Sequence, residues 1–284
     1  MKTIAAIALA SLAACAAADP SEGAYDTDGD GKADGTSIKK RRRLSSRVTC
    51  PDGNAKFKVA FFDADSTLRV SKSGEVTANS PTDVNVLPFA GREMARLESE
   101  GYVIAIVSNQ GGISAGHTTL ETAEKALALT ISKLHAFGAH VHYFDFAERN
   151  DEFRKPSTGM ADLLATKLDD KCGVGFDKAT SLMVGDSGYK KGVDGPHPDG
   201  RPADDFSNAD RFFAVNVGID FHEPTDYFDW RAYDVFNIAS QAELVSFLDA
   251  IDARADMLEA MNGDPAEIEA LRTEAQRNRQ VNDL

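Results

Sequence analysis

Cysteine is scarce in this chain. The 284 residues hold three, Cys15, Cys50 and Cys172, too few for a Cys-rich zinc module. Long apolar runs are lacking too. The apolar stretch at residues 4–12 is too short for a permanent membrane span, which needs about twenty residues. No Gly-x-x-x-x-Gly-Lys-Ser/Thr loop occurs, so these residues encode no P-loop nucleotide site. Basic residues are outnumbered, 31 Lys+Arg against 45 Asp+Glu, for a net charge of −14. The imbalance is uneven. Residues 48–284 carry 23 against 39, or −16, while residues 39–47 concentrate six cations, Lys39, Lys40, Arg41, Arg42, Arg43 and Arg47. So acidic a domain repels polyanions at long range. This argues against a high-affinity duplex binder, though a locally positive groove would still admit a strand end. The apolar content of 42% fits a globular protein of one sizeable domain plus tails, or at most two.

The first residues read as an export signal, with Lys2 as the charged region ahead of the short apolar core. Leu12-Ala13-Ala14-Cys15 resembles a bacterial lipobox. The expectation is a signal peptide over 1–14, lipidation at Cys15, and a membrane-anchored lipoprotein at the periplasmic or cell surface. Cleavage after Ala16-Ala17-Ala18 would give a secreted protein instead. Residues 15–55 lack an apolar period and read as a linker. Within it Asp26, Asp28, Asp30 and Asp34, with Gly31, follow the spacing of a Ca2+ loop, but Ser37 stands where a bidentate glutamate belongs. The alternative is a solvated acidic spacer. The basic run at 39–47 reads as a solvated tether, a membrane-surface contact or a nucleic-acid tether. Cys50 and Cys172 could pair in an oxidising compartment or remain two thiols.

The most informative segment is Phe61-Phe62-Asp63-Ala64-Asp65-Ser66-Thr67-Leu68. An apolar run that ends in two carboxylates at i and i+2 reads as a buried parallel strand with acids at its exit, the edge where open α/β sheets place ligands. The bland alternative is a strand followed by an Asx turn. Converging carboxylates call for a divalent cation with oxygen ligands. One carboxylate can attack phosphorus while the other handles protons. Three further segments fit this pattern. The apolar run 102–107 ends in Ser108-Asn109-Gln110-Gly111-Gly112, groups able to donate to a phosphate. Arg154-Lys155-Pro156 supplies a cation before a helix start. The run 182–184 ends in Gly185-Asp186-Ser187-Gly188.

Strands are expected at 58–63, 102–108, 141–146, 182–185 and 212–216, alternating with helices at 92–100, 120–137, 157–168 and 240–251. This predicts an α/β fold, a Rossmann-like parallel doubly wound sheet with helices on both faces. Residues 69–87 read as a β-hairpin flap, and the intervals between motifs leave no room for a large cap domain. The domain is expected over 56–252, with a C-terminal helical tail over 253–284 that reads as a capped surface helix.

An acidic pair, a hydroxyl, a lysine and a further acid, in that order, resemble the haloacid dehalogenase superfamily of phosphohydrolases. Several strings narrow the likeness: Ser80-Pro81-Thr82-Asp83, Phe153-Arg154-Lys155-Pro156-Ser157-Thr158-Gly159-Met160 and Asp205-Phe206-Ser207-Asn208-Ala209-Asp210-Arg211. They resemble the 3′-phosphatase domain of polynucleotide kinase/phosphatase. The chain departs from that family at Val84, where a Trp is usual, and at Ser187-Gly188-Tyr189-Lys190, where Ala-Ala-Gly-Arg is usual. The resemblance implies Asp63 as nucleophile and Asp65 as general acid/base. It implies Ser108, Lys155 and backbone amides near Asn109 as phosphate ligands, and Mg2+ held by Asp63, Asp186 and the Asp65 carbonyl. Asp205 is a candidate second acid tuning the metal or Lys155, and Asp210 a structural partner of Arg211. The expected substrates are 3′-phosphorylated nucleic-acid ends. The alternatives are small phosphomonoesters such as sugar phosphates, or a non-catalytic calcium-binding surface lipoprotein that keeps only the fold.

Overall fold

The computed structural model describes residues 41–53 and 55–284. Cys15 and the acidic loop of Asp26, Asp28, Asp30 and Asp34 lie outside the described residues, as do Lys39 and Lys40. Among the described residues no helix is long and apolar enough to cross a membrane.

The run ending at Phe62 forms β1 (Lys58–Phe62), the middle strand of the sheet. Its side chains alternate between two apolar layers: Ala60 and Phe62 face one, Val59 and Phe61 the other. Burial on both faces is why the strand reads as a continuous apolar run. Around it lie β4 (Tyr102–Asn109), β5 (Tyr143–Ala147), β6 (Leu182–Val184) and β7 (Asp220–His222), in the order β5-β4-β1-β6-β7 with every pairing parallel. The chain first builds outward through β4 and β5, then crosses to β6 and β7. The strand order therefore reverses beside β1, and a crevice opens there at the carboxyl ends.

One layer packs under α1 (Ala90–Ser99), α2 (Leu120–His135), α6 (Gln241–Ala260) and α7 (Pro265–Asn282). The other packs under α3 (Gly159–Cys172) and α4 (Ala209–Val217). A four-residue turn of helix, α5 (Pro224–Tyr227), follows β7. The expected flap is present: β2 (Arg69–Val70) pairs antiparallel with β3 (Asn85–Val86). Between them Asp83 fastens the loop, accepting from Ser73 N and Ser73 Oγ, both at 2.7 Å, and from Asn79 N at 3.0 Å. Val84 is fully buried with Ala78 and Ala126 of α2. The departure from Trp at that position therefore changes packing under the flap and leaves the crevice wall alone.

Three expectations need correction. Residues 212–216 are helical, inside α4, and the last strand is Asp220–His222. The buried positions Ala209, Asp210, Phe213, Ala214 and Val217 follow helical spacing, which overrides the β propensity of Phe and Val. Gly218, at φ 84°, ends the helix in the left-handed conformation. The domain boundary at 252 falls inside α6, and α7 is no surface tail. Its Glu274, Asn278 and Asn282, spaced like a solvent face, are buried; Glu274 and Asn282 serve backbone groups, and Asn278 links their side chains. Glu274 Oε1 accepts from Phe89 N at 2.6 Å. Asn282 closes both backbone bonds of Val86 at 2.9 Å. Buried polar groups of this kind persist because they satisfy backbone that the sheet does not.

The third correction concerns the basic run. Arg42 donates to both oxygens of Asp145 at 2.9 Å, and Arg41 pairs with Asp145 at 3.0 Å and with Glu148 at 2.5 Å. Their guanidinium groups lie over Phe153 and Phe146. Together with Arg42 N→Phe144 O and Ser45 N→His142 O, this fastens the segment along the β5 edge. Arg41 and Arg42 are structural and not a solvated tether. A Cys50–Cys172 disulfide, with Cα atoms 5.5 Å apart, ties the same segment to the end of α3.

Candidate active site

The carboxyl ends of β1, β4 and β6 converge on one acidic centre. Asp63 directly follows β1, and its N–H bonds Val184 O at 2.9 Å. Asp186 follows β6 and is held by its own N–H donating to Thr67 Oγ1 at 3.1 Å, which gives the threonine of the first motif its task. Asp210 enters from the first turn of α4. Carboxylate oxygens of Asp63, Asp186 and Asp210 lie within 4.8 Å of one another. Lys155 Nζ sits among them, 2.5 Å from Asp63 Oδ1 and 2.6 Å from Asp210 Oδ1. Gly185 permits this approach: a Cβ there would collide with the Asp210 carboxylate.

Electrostatics follow from that crowding. Burial, partly opposed by Lys155 and reinforced by Asp210 and Asp65, pushes the Asp63 carboxyl up to about 7. Burial and then the charges of Asp63 and Asp210 hold Asp186 well above the ordinary range. Lys155 is raised: burial acts to depress it, but Asp210 and Asp63 together outweigh burial. Three carboxylates and one ammonium leave two negative charges, which one divalent cation would balance. The donors are all hard oxygens, which suits Mg2+.

The Asp65 carboxylate stands apart from that group. Arg69 Nε holds one oxygen at 2.9 Å and Gln110 Nε2 the other at 2.6 Å. Gln110 also donates to Ser108 Oγ at 2.9 Å, so the second motif orients the second acid of the first. Asn109 is a clamp for Lys155. Its Nδ2 donates to Lys155 O and its Oδ1 accepts from Lys155 N, both at 2.9 Å. Its side chain is thus committed to placing the lysine, and a phosphate would have to be met by other groups.

Asp205 does not touch Lys155. It accepts from Gly188 N at 2.9 Å and Tyr189 N at 2.6 Å, bracing the loop that follows Asp186. The place beside Lys155 belongs to Asp210. Arg211, expected as the partner of Asp210, pairs with Asp194 at 2.6 Å and bonds Gly188 O at 2.7 Å. Asp210 was visible only inside the string 205–211, because helical burial hides it from any strand-end pattern.

The centre lies in a cleft of about 580 Å3 whose lining includes Asp63, Asp65, Ser108, Lys155, Asp186 and Asp210. Arg154 lines it beside Lys155. Val76 of the flap and Phe206 are 89% and 97% exposed on its walls.

The family model described as polynucleotide kinase 3 phosphatase matches residues 58–228, the whole span from β1 through α5. The chain belongs to the polynucleotide kinase 3 phosphatase family. As a member it is a phosphatase of the haloacid dehalogenase type, and the acid–lysine centre is where such chemistry would take place. Among its relatives is an uncharacterized 20.8 kDa protein of Autographa californica nuclear polyhedrosis virus, 30% identical over 183 residues, covering 62% of this chain and 88% of that one. The bifunctional polynucleotide phosphatase/kinase of Schizosaccharomyces pombe is 32% identical over 179 residues; the match spans 60% of this chain and 37% of the yeast protein. Among solved structures, D,D-heptose 1.7-bisphosphate phosphatase from B. bronchiseptica, complexed with magnesium and phosphate, aligns at TM-score 0.44 and 20% identity, covering 58% of this chain and 79% of that one.

Proposed function

We propose that this phosphatase is Mg2+-dependent and removes the 3′-phosphate from nucleic-acid ends. The observation that carries the substrate class is Phe206. A phenyl ring 97% exposed on the wall of a catalytic cleft, with the flap's exposed Val76 lining the same cleft, leaves apolar surface in water. A flat aromatic leaving group would cover it, and base–aromatic stacking is worth about 1–3 kcal/mol. A sugar phosphate has no such face. Membership in a family that includes polynucleotide phosphatases supports the same reading.

The steps follow from the side chains. Lys155 favours the ionised form of Asp63, and one Asp63 oxygen attacks phosphorus in line. The phosphorus–O3′ bond breaks as the new bond to Asp63 forms, and Asp65 gives its proton to the departing 3′ oxygen. Asp65, oriented by Arg69 and Gln110, next takes a proton from water. That water attacks the aspartyl-phosphate, and inorganic phosphate leaves with Asp63 restored. Ser108 and Lys155 face the phosphoryl oxygens. Asp63, Asp186 and Asp210 would hold Mg2+, whose chemistry there is to neutralise charge on the acids and the phosphoryl group.

The test is phosphate release from 3′-phosphate oligonucleotides, 5′-phosphate oligonucleotides and sugar phosphates at two salt concentrations. The expected pattern is turnover of the 3′-phosphates alone. Binding should weaken less with salt than for a basic nuclease, because screening also relieves repulsion by the acidic domain. Preference for a sugar phosphate would overturn the substrate assignment and leave the Asp63 chemistry standing.

A further inference from the structure

Beside the catalytic acids lies a second group of metal-ligating side chains that the phosphatase chemistry does not use. His197, Asp205 and Glu223 each offer one ligand atom, and these atoms lie within 4.8 Å of one another. They come from two stretches: His197 and Asp205 from the loop between Asp186 and α4, and Glu223 directly after β7. Asp204 adds a carboxylate oxygen 3.3 Å from His197 Nε2.

The imidazole is enclosed between two carboxylates. The His197 side chain is 0% exposed, with Nδ1 facing Glu223 Oε1 at 2.8 Å and Nε2 facing Asp204 Oδ1 at 3.3 Å. A buried hydroxyl without a partner lies nearby. Thr225, 4% exposed and two residues beyond Glu223, lines the same cleft, and its Oγ1 has no hydrogen-bond partner. Arg201 approaches, its Nη2 3.4 Å from both Glu223 Oε2 and His197 Nδ1, but its Nε is committed to Asp199 at 2.7 Å. Its guanidinium is thus shared between Asp199 and Glu223.

We propose that His197, Asp205 and Glu223, with Asp204 at the edge, form a second divalent-cation site that takes Zn2+ or Mn2+. An imidazole nitrogen with carboxylate oxygens suits those ions, whereas Mg2+ prefers oxygen alone. The ion would clip the loop between Asp186 and Asp205 to the end of β7. Because Asp205 also holds the Gly188 and Tyr189 amides, the clip would bear on the backbone that carries Asp186. It does not depend on the identity of the phosphatase substrate.

The experiment is calorimetric titration of metal-stripped Asp186→Asn protein with ZnCl2 and MnCl2 in excess Mg2+, read alongside melting temperature. The Asp186→Asn background cripples the catalytic metal centre, so turnover is not the readout. The expected result is one bound equivalent of Zn2+ or Mn2+ that raises the melting temperature. Adding His197→Gln or Glu223→Gln should weaken binding by at least about tenfold, since even outer groups around a metal cost that much. Circular dichroism checks that each variant folds, and Glu223→Gln carries the test if His197→Gln does not. Absence of saturable binding, or binding that survives both substitutions, overturns the proposal.

Discussion

Lys155→Met keeps the length of the side chain and removes the charge that two buried carboxylates share. In the wild type the ammonium lies 2.5 Å from Asp63 and 2.6 Å from Asp210. Without it both acids face each other and Asp186 with no cation. Removing one partner of a buried ion pair costs about 3–5 kcal/mol. For a domain of this size that is a fall of roughly 6–20 °C in melting temperature. The measurement is thermal or urea unfolding of wild type and variant in EDTA at about pH 8. The pH dependence sharpens it. The Asp63 carboxyl stands at about 7 in the folded protein against 3.8 for the unconstrained side chain. Between those values the folded state holds a proton that the unfolded state has lost, so the strain of the acids is relieved as pH falls. Losing Lys155 pushes the Asp63 carboxyl higher still, so the penalty of Lys155→Met should be largest above pH 7 and shrink as pH falls through about 7, and excess Mg2+ should reduce it at high pH. A variant within about 2 °C of wild type in EDTA, or a penalty that ignores pH, would refute the reasoning.

Other outcomes follow from the same geometry. Asp65→Asn should leave attack on an aryl phosphate, whose leaving group needs no proton, largely intact but block the second step, so phosphorylated enzyme accumulates in rapid-quench assays. Mg2+ affinity should weaken as pH falls below about 7, because protons on Asp63 compete with the ion; isothermal titration at several pH values checks this. Reducing Cys50–Cys172, which closes a loop with a sequence separation of 122 residues, should cost about 2–5 kcal/mol in unfolding experiments. Turnover well below the melting temperature should not change.

What the sequence disclosed was set by strand ends. Asp63, Ser108 and Asp186 each terminate an apolar run buried on both faces, so their placement at one sheet edge followed from pattern alone. Lys155 was legible through its motif, and the pairing of β1 with β4 and β6 put these residues in one cleft. Asp210 was not legible in that way. It sits in the first turn of a helix whose Phe and Val content reads as strand, and only its packing against Gly185 and Lys155 reveals its part. The task of Asn109 was hidden similarly, since an amide at a strand end suits a phosphate as well as a neighbouring backbone. Glu274 and Asn282 looked like surface because polar side chains that satisfy buried backbone keep the spacing of a solvated face.

The most direct test is to trap the covalent intermediate from a defined substrate. An oligonucleotide carrying a radiolabelled 3′-phosphate is mixed with enzyme and Mg2+, quenched in acid within a turnover, and the protein is digested and mapped. The account predicts label on the peptide containing Asp63, none in Asp63→Asn, and none from a 5′-labelled strand. Label on another residue, or equal labelling by the 5′-phosphate, would contradict it.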